Sequence, residues 1–215
     1  MATSNWLEYI PMLLKGAWLT LVLTATSMIV GTLIAFPLAL MKISGSRFAR
    51  GVAAFYGTLI RGLPLLVQIL FVYFGLPMLT GIRMPAVVAG GIAMALYTGG
   101  FLAEVVRAGI QSIDKGQMEA GRSIGFSRGQ TMRLVVLPQA FWTMIPNIAN
   151  QFSVTLKNTS LLSVVGVTEL TMAGQNIYAL NFDTIRVLSL VGAIYLIVYL
   201  IAEQISAYVE RRIPR

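Results

Sequence analysis

The 215-residue chain has no cysteine and no histidine. Disulfide staples, thiolate nucleophiles and the usual zinc ligands are therefore excluded, and cysteine usage says nothing about compartment. Charge is also scarce: 11% of residues are charged and only 8 are acidic, against roughly 25% charged in soluble domains. No GxxxxGK[ST] pattern occurs, so this chain cannot itself cradle nucleotide phosphates, and its few acids do not make a paired-carboxylate site. No linker, low-complexity tract or internal repeat interrupts it, and Met1–Lys15 does not read as a cleaved signal peptide. Apolar residues dominate, at 57% of the sequence with a mean hydropathy of +0.78. The expectation is an all-α membrane protein forming one integrated domain over 1–215.

Five stretches are long and apolar enough to span: 17–40, 56–77, 85–108, 141–165 and 185–207. The second contains Arg61, Pro64 and Gln68, and its approach from Arg47 to Leu59 also reads as an interfacial helix. Basic residues orient the spans. Lys42, Arg47, Arg50, Arg107, Lys115, Arg122, Arg128, Arg133, Arg211, Arg212 and Arg215 lie on one side, and only Lys15 and Arg83 on the other. The positive-inside rule predicts the N-terminus outside and the C-terminus in the cytosol. The net charge of +8 is thus read as topology and not as nucleic-acid binding.

Between the third and fourth spans lies a polar segment, Gln117–Pro138, reading QMEAGRSIGFSRGQTMRLVVLP. Ser112 or Asp114 is placed to cap a first short helix, Gly125 to turn the chain, Ser127 to cap a second helix, and Pro138 to end it and begin the next span. A structured polar hairpin on the cytosolic side is built to be gripped by a partner.

The fourth span carries a polar stripe. At 100° per residue, Asn147, Asn150, Gln151, Lys157 and Asn158 fall within an arc of about 120°. Such a face does not meet lipid, because unpaired polar groups are costly there. It faces protein or a water-filled path. Counting from Phe141, Asn150 and Gln151 are expected near mid-membrane and Lys157 near the outer mouth. Arg61 fits either a functional role or snorkelling to the cytosolic surface. Glu104 and Arg107 are spaced for an i,i+3 ion pair.

Several blocks carry a resemblance. Glu119-Ala120-Gly121 followed by Gly125, Val135 and Leu137-Pro138 resembles the EAA loop of ABC-importer permeases. Tyr97–Ile110, Asp114–Gln117, Arg61–Gln68, Leu137–Ala140 and Lys157–Leu161 are similar, in order, to signatures of the polar-amino-acid permeases of the histidine, glutamate/glutamine and arginine type. Gly121, in place of the second alanine of EAA, and Asn158, where many members carry aspartate, are mild departures. The resemblance implies a type I importer fold and a non-catalytic permease subunit in a bacterial inner membrane. It implies a second permease subunit, the same or paralogous, and an extracytoplasmic solute-binding protein. It also implies an ATP-binding subunit that holds the ATP and Mg, with no cofactor in this chain. Gln117, Glu119, Ala120, Gly121, Ser123, Gly125 and Phe126 are then expected to contact the ATPase. Arg61, Gln68, Thr98, Asn147, Asn150, Gln151, Lys157 and Asn158 are expected along the path of a polar amino acid, whose carboxylate suits Lys157. Glu169, in the external 166–181 loop, is a candidate contact for the binding protein, a local cap or a solvated charge. The rival readings are a stand-alone ion-coupled carrier, which would want a buried acid or histidine relay, and a membrane scaffold, which would not need the stripe.

Overall fold

The computed structural model describes residues 9–210, with the side chains of Asn181 and Glu210 excepted. Arg211, Arg212 and Arg215, counted above for orientation, lie outside the described residues. Eight helices follow in order: α1 (Ile10–Ile43), α2 (Arg47–Gly62), α3 (Leu65–Thr80), α4 (Ala86–Gln111), α5 (Lys115–Ser123), α6 (residues 128–158), α7 (Leu170–Asn181) and α8 (Thr184–Glu210). A 3₁₀ helix, Thr159–Val165, extends α6. No strand occurs among the described residues.

α4 is the central post. Its buried face is rich in small residues: Ala89, Gly90, Ala93, Thr98, Gly99, Ala103 and Gly109. Small residues let helix backbones approach in lipid, where dispersion replaces the hydrophobic effect as the driving force. α1 packs against α4 in rising register. Leu23 lies by Gly91, Gly31 by Thr98 and Gly99, and Lys42 by Glu104, so the two helices run parallel. α6 packs in falling register. Met144 lies by Gly109, Thr155 by Thr98, and Leu162 by Gly90, so it runs antiparallel to α4. α7 crosses the start of α1, where Gly16 approaches Leu170 and Ala173. α8 rests on α7 and α6 and leaves much of its apolar surface open.

Three helices are long and apolar enough to cross a membrane: α1, α4 and α8 over Thr184–Val209. α2 and α3 pass the same test only as a pair, bent by 103°. The second span expected over 56–77 is thus divided at Pro64, and its approach forms a separate helix, α2, as the alternative reading of Arg47 to Leu59 predicts. Pro64 lacks an N–H and disfavours helical geometry at Leu63, so the chain breaks there. Gln68 fills the break, its Nε2 donating to the carbonyls of Ile60 (2.7 Å) and Leu63 (3.0 Å). Gln68, expected along a path, is buried and satisfies the elbow's backbone.

Pro138 does not end a helix as expected. α6 runs through it by way of a π turn, Met132–Val136, closed by Leu137 N–H to the Met132 carbonyl. α3 has the same device, Phe71–Gly75, immediately before Leu76-Pro77. A proline ring clashes with the carbonyl four residues back, and one wider turn moves that carbonyl aside without breaking the helix.

A Cβ on Gly99 would fall 2.9 Å from Ile34 Cγ2 and 3.3 Å from the Gly31 carbonyl oxygen, whereas one on Gly51 meets nothing within 4 Å. Gly99→Ala is therefore expected to destabilise the protein by about 1–3 kcal/mol of overpacking, read as a lower thermal midpoint in detergent. Gly51→Ala leaves it unchanged or raises it. Equal midpoints for the two variants would contradict the close α1–α4 approach.

Candidate functional site

The hairpin is stapled at every corner. The Asp114 carboxylate accepts from Gly116 N–H at 2.7 Å and caps α5. Gly125 takes φ +94°, and the N–H groups of Gly125 and Phe126 return to the carbonyls of Arg122 (3.1 Å) and Gly121 (3.2 Å). That pair of bonds is a Schellman C-cap, which requires a left-handed residue. Ser127 and Gln130 form a reciprocal capping box that starts α6. Gln139 then ties the base, donating to Gln117 Oε1 at 3.1 Å and to the Val135 carbonyl.

The surface this presents differs at one position from the expected contact set. Gln117, Glu119, Ala120, Ser123 and Gly125 are exposed and Phe126 is half-buried. Gly121 is buried, and a Cβ there would fall 2.4 Å from Thr131 Cγ2. Its expected place at a partner's surface is corrected: Gly121 lets α5 lie against α6. Ile124, 73% exposed at the tip, was missed by sequence reasoning, although a bulky aliphatic beside the turning glycine was its signal.

The α6 stripe divides. Gln151 is buried and donates to Thr155 Oγ1 at 3.3 Å, and Thr155 lies 3.4 Å from Thr98 Oγ1. Those three form an internal polar chain between α6 and α4. Asn147, Asn150 and Lys157 are exposed and Asn158 is half-buried. Lys157 Nζ sits 5.4 Å from the centre of the Tyr199 ring on α8, in range of a cation–π contact. Below it, Asn150 and Ser153 face Tyr199, Glu203 and Ser206 across a polar cleft of about 270 Å³. Glu203 was also missed, since the last span reads as nearly all aliphatic. The signal was an acid sharing a face with Tyr195, Tyr199 and Ser206.

Depth along the helices also differs from expectation. Thr98 is at mid-length of α4, and Thr155 sits level with it. Lys157 lies only about 3 Å farther along α6, so it is near the middle of α4 in height and not at its end. Asn150 falls about 7 Å below Thr155.

Arg61 is neither free in a path nor merely snorkelling. Its Nη2 lies 3.0 Å from Glu104 Oε1, while Arg107 Nε donates to Glu104 Oε2 at 2.7 Å and Lys42 pairs with the same carboxylate. One acid thereby gathers cations from α1, α2 and α4. Glu169 is fully buried, which corrects its candidacy for a contact with the binding protein. Its carboxylate accepts from the N–H groups of Thr171 (3.0 Å) and Met172 (2.9 Å) and from Tyr195 O–H (2.8 Å), capping α7 and tying α8 to it.

Residues 27–215 match the family described as "Binding-protein-dependent transport system inner membrane component", and the chain belongs to that family. Within it, similar proteins include amino-acid permeases. The glutamine transport system permease protein GlnP of Escherichia coli (strain K12) is 38% identical over 204 residues, covering 94% of this chain and 93% of that protein. The arginine transport system permease protein ArtQ of Bacillus subtilis (strain 168) is 35% identical over 204 residues, covering 95% and 93%. A crystal structure of an amino acid ABC transporter with histidines superposes with a TM-score of 0.90 at 37% identity, covering 98% of this chain and 99% of that one. The MetNI methionine ABC transporter, inward facing, shares the fold, with a TM-score of 0.80 at 19% identity over 96% and 98%. Such permeases are non-catalytic subunits, with ATP hydrolysis on a separate chain.

Glu104 holds three cations at once, so removing its charge leaves them facing one another. Glu104→Gln is expected to cost about 2 kcal/mol, read as a drop of several degrees in thermal midpoint. Adding Lys42→Met restores part of that loss. Additive losses in the double variant would show that the cluster is not shared.

Proposed function

We propose that this chain is half of an ATP-driven import path for a polar amino acid, coupled through its hairpin to a separate ATPase subunit and fed by an extracytoplasmic binding protein. The names of its relatives support amino-acid cargo. In this reading the chain crosses the bacterial inner membrane five times, with α6 as the fourth pass. The N-terminus is outside and the C-terminus inside, following the charge bias of the connections.

One observation carries the coupling. The Ser127 cap, the π turn and the Asn147–Asn158 stripe belong to one uninterrupted helix. That helix is about 45 Å long at 1.5 Å per residue. Glu119, Ala120 and Ser123 lie on α5 and Ile124 on the turn, so force applied there passes through the short Gly125 turn, braced by its capping bonds and by the close fit of Gly121 on Thr131, and then runs along α6 to Asn150 and Lys157 without a further break. Closure of the ATPase pair around ATP and Mg tilts α6, and the stripe turns from one side of the membrane to the other. The ion-coupled alternative wants a proton relay within the spans. Among the described residues, Glu104 is occupied by three cations and Glu169 by backbone N–H groups and Tyr195, which leaves Glu203 with no second acid, and the chain has no histidine to relay a proton.

Glu119→Arg combined with Ile124→Asp is expected to leave insertion and thermal stability intact. It should lower ATP-driven uptake at least tenfold in reconstituted vesicles, because a docked tip that loses its aliphatic anchor and reverses charge loses about 1.4 kcal/mol or more. Full uptake with normal coupled hydrolysis would reject the hairpin as the contact.

Accessibility tests the path directly, on a background free of native thiols. Asn147→Cys and Asn150→Cys are expected to react with water-soluble thiol reagents, while Phe152→Cys does not. The reverse pattern would put the opposite face of α6 on the path.

A further inference from the structure

We infer that Glu203 is the residue of the transport path that recognises the substrate's ammonium group, an inference that rests on the import reading above. The C-terminal half of α8 has two faces. Ile197, Ile201, Ile205 and Tyr208 are exposed on one. Tyr195, Tyr199, Glu203 and Ser206 fall within an arc of about 80° on the other, at 100° per residue. This second face meets α6 and α7 rung by rung. Tyr195 donates to Glu169 at the top, Tyr199 lies under Lys157, and Glu203 stands opposite Asn150 in the cleft.

Glu203 differs from the other membrane-level acids. Glu169 is saturated by two backbone N–H groups and a phenol, and Glu104 by three cations. No described residue gives Glu203 a hydrogen bond or an ion pair. It lies seven residues, about 10 Å, from the end of α8, within a helix apolar enough to span. A carboxylate there is costly against lipid and characteristic of a substrate or ion path.

The cleft supplies the geometry. Its walls are small or polar: Ala149, Asn150, Ser153, Ala202 and Ser206. Its volume of about 270 Å³ takes an amino-acid backbone with its hydration. Lys157 stands about 10 Å farther out along α6 than Asn150. Two opposite charges therefore flank one passage at two heights. A zwitterion carries both of its charges on a single carbon, so it engages them in turn: carboxylate to Lys157, then ammonium to Glu203. Neutral Asn150 and Ser153 serve either end between them. Because every α-amino acid has the same two groups, this pair selects the class and not the side chain.

The test uses the complete permease–ATPase complex in nanodiscs, with Ala207→Cys, which lines the cleft, as a thiol reporter. L-glutamine, L-arginine and L-histidine are the probes, and N-acetyl-L-glutamine, lacking the ammonium, is the control. The amino acids are expected to slow modification by a cationic methanethiosulfonate, while the acetylated compound does not. In a Glu203→Gln background, roughly tenfold more amino acid is needed for the same protection, about 1.4 kcal/mol, and Glu203→Asp restores most of it. Equal protection with Glu203 and Glu203→Gln, protection by N-acetyl-L-glutamine, or an unreactive reporter would overturn the assignment. So would efficient oxidative cross-linking of Glu203→Cys to its copy in a second permease, which would make the position an interface. ATP-driven uptake by the unsubstituted complex with its binding protein is measured in parallel. Loss of uptake for every amino acid refutes the import reading, whereas uptake with unaltered Glu203→Gln protection refutes only the role of Glu203.

Discussion

Everything in this chain is registered against α4, and α4 can serve as the reference because so little projects from it. Gly90, Gly99 and Gly109 sit at three heights, and each lets a different neighbour come within ordinary contact of backbone: Leu162, Ile34 and Met144. The rising register of α1 and the falling register of α6 follow from those contacts. So does the level of Thr155 against Thr98, which sets the depth of Lys157 and Asn150. In lipid no hydrophobic effect holds helices together, so close fit must do it. Lengthening one of these side chains displaces a helix rather than simply filling a gap.

The polar elements are arranged so that the needs of the backbone at bends and helix ends are met locally. The elbow at Pro64 has Gln68, the hairpin has Asp114, Gly125 and Ser127, and α7 has Glu169. Two prolines are absorbed by π turns that keep α3 and α6 continuous. Between α6 and α8 the polar groups are met differently: Asn150 and Glu203 face a cleft, and Lys157 faces the Tyr199 ring.

Much of this was legible in the sequence. Apolar run lengths marked α1, α4 and α8 to within a few residues, apart from an earlier start to α1. Capping chemistry located the hairpin's corners, because Asp, Gly and Ser have few reasons to be there other than those caps. The misreadings have physical causes. Periodicity could not reveal that Gln68 is consumed by carbonyls freed five and eight residues earlier. Heights counted from Phe141 differ from those set against α4, because α6 begins at Arg128 and its register is fixed by α4, not by its own first apolar residue. The helical wheel grouped Gln151 with Asn150, although only packing decides which edge of a stripe is covered. Glu169 was ambiguous because an acid before a helix is equally a cap or an exposed charge. Glu203 was overlooked because one acid barely alters the hydropathy of a 26-residue window.

The elbow also bears on the order in which the chain is built. Both bonds that satisfy it reach back only eight and five residues, from Gln68 to Ile60 and Leu63. The bonds that close the bend need nothing beyond residue 68, so they do not depend on α4, its later packing partner. Lys42 and Arg61, by contrast, await a carboxylate that arrives 62 and 43 residues later in Glu104. During that interval they lack that acid as a partner, and unpaired cations resist being carried into the membrane. The geometry that Gln68 secures early is thus anchored by charges that are neutralised late, so the hinge is set before the ion cluster closes over it.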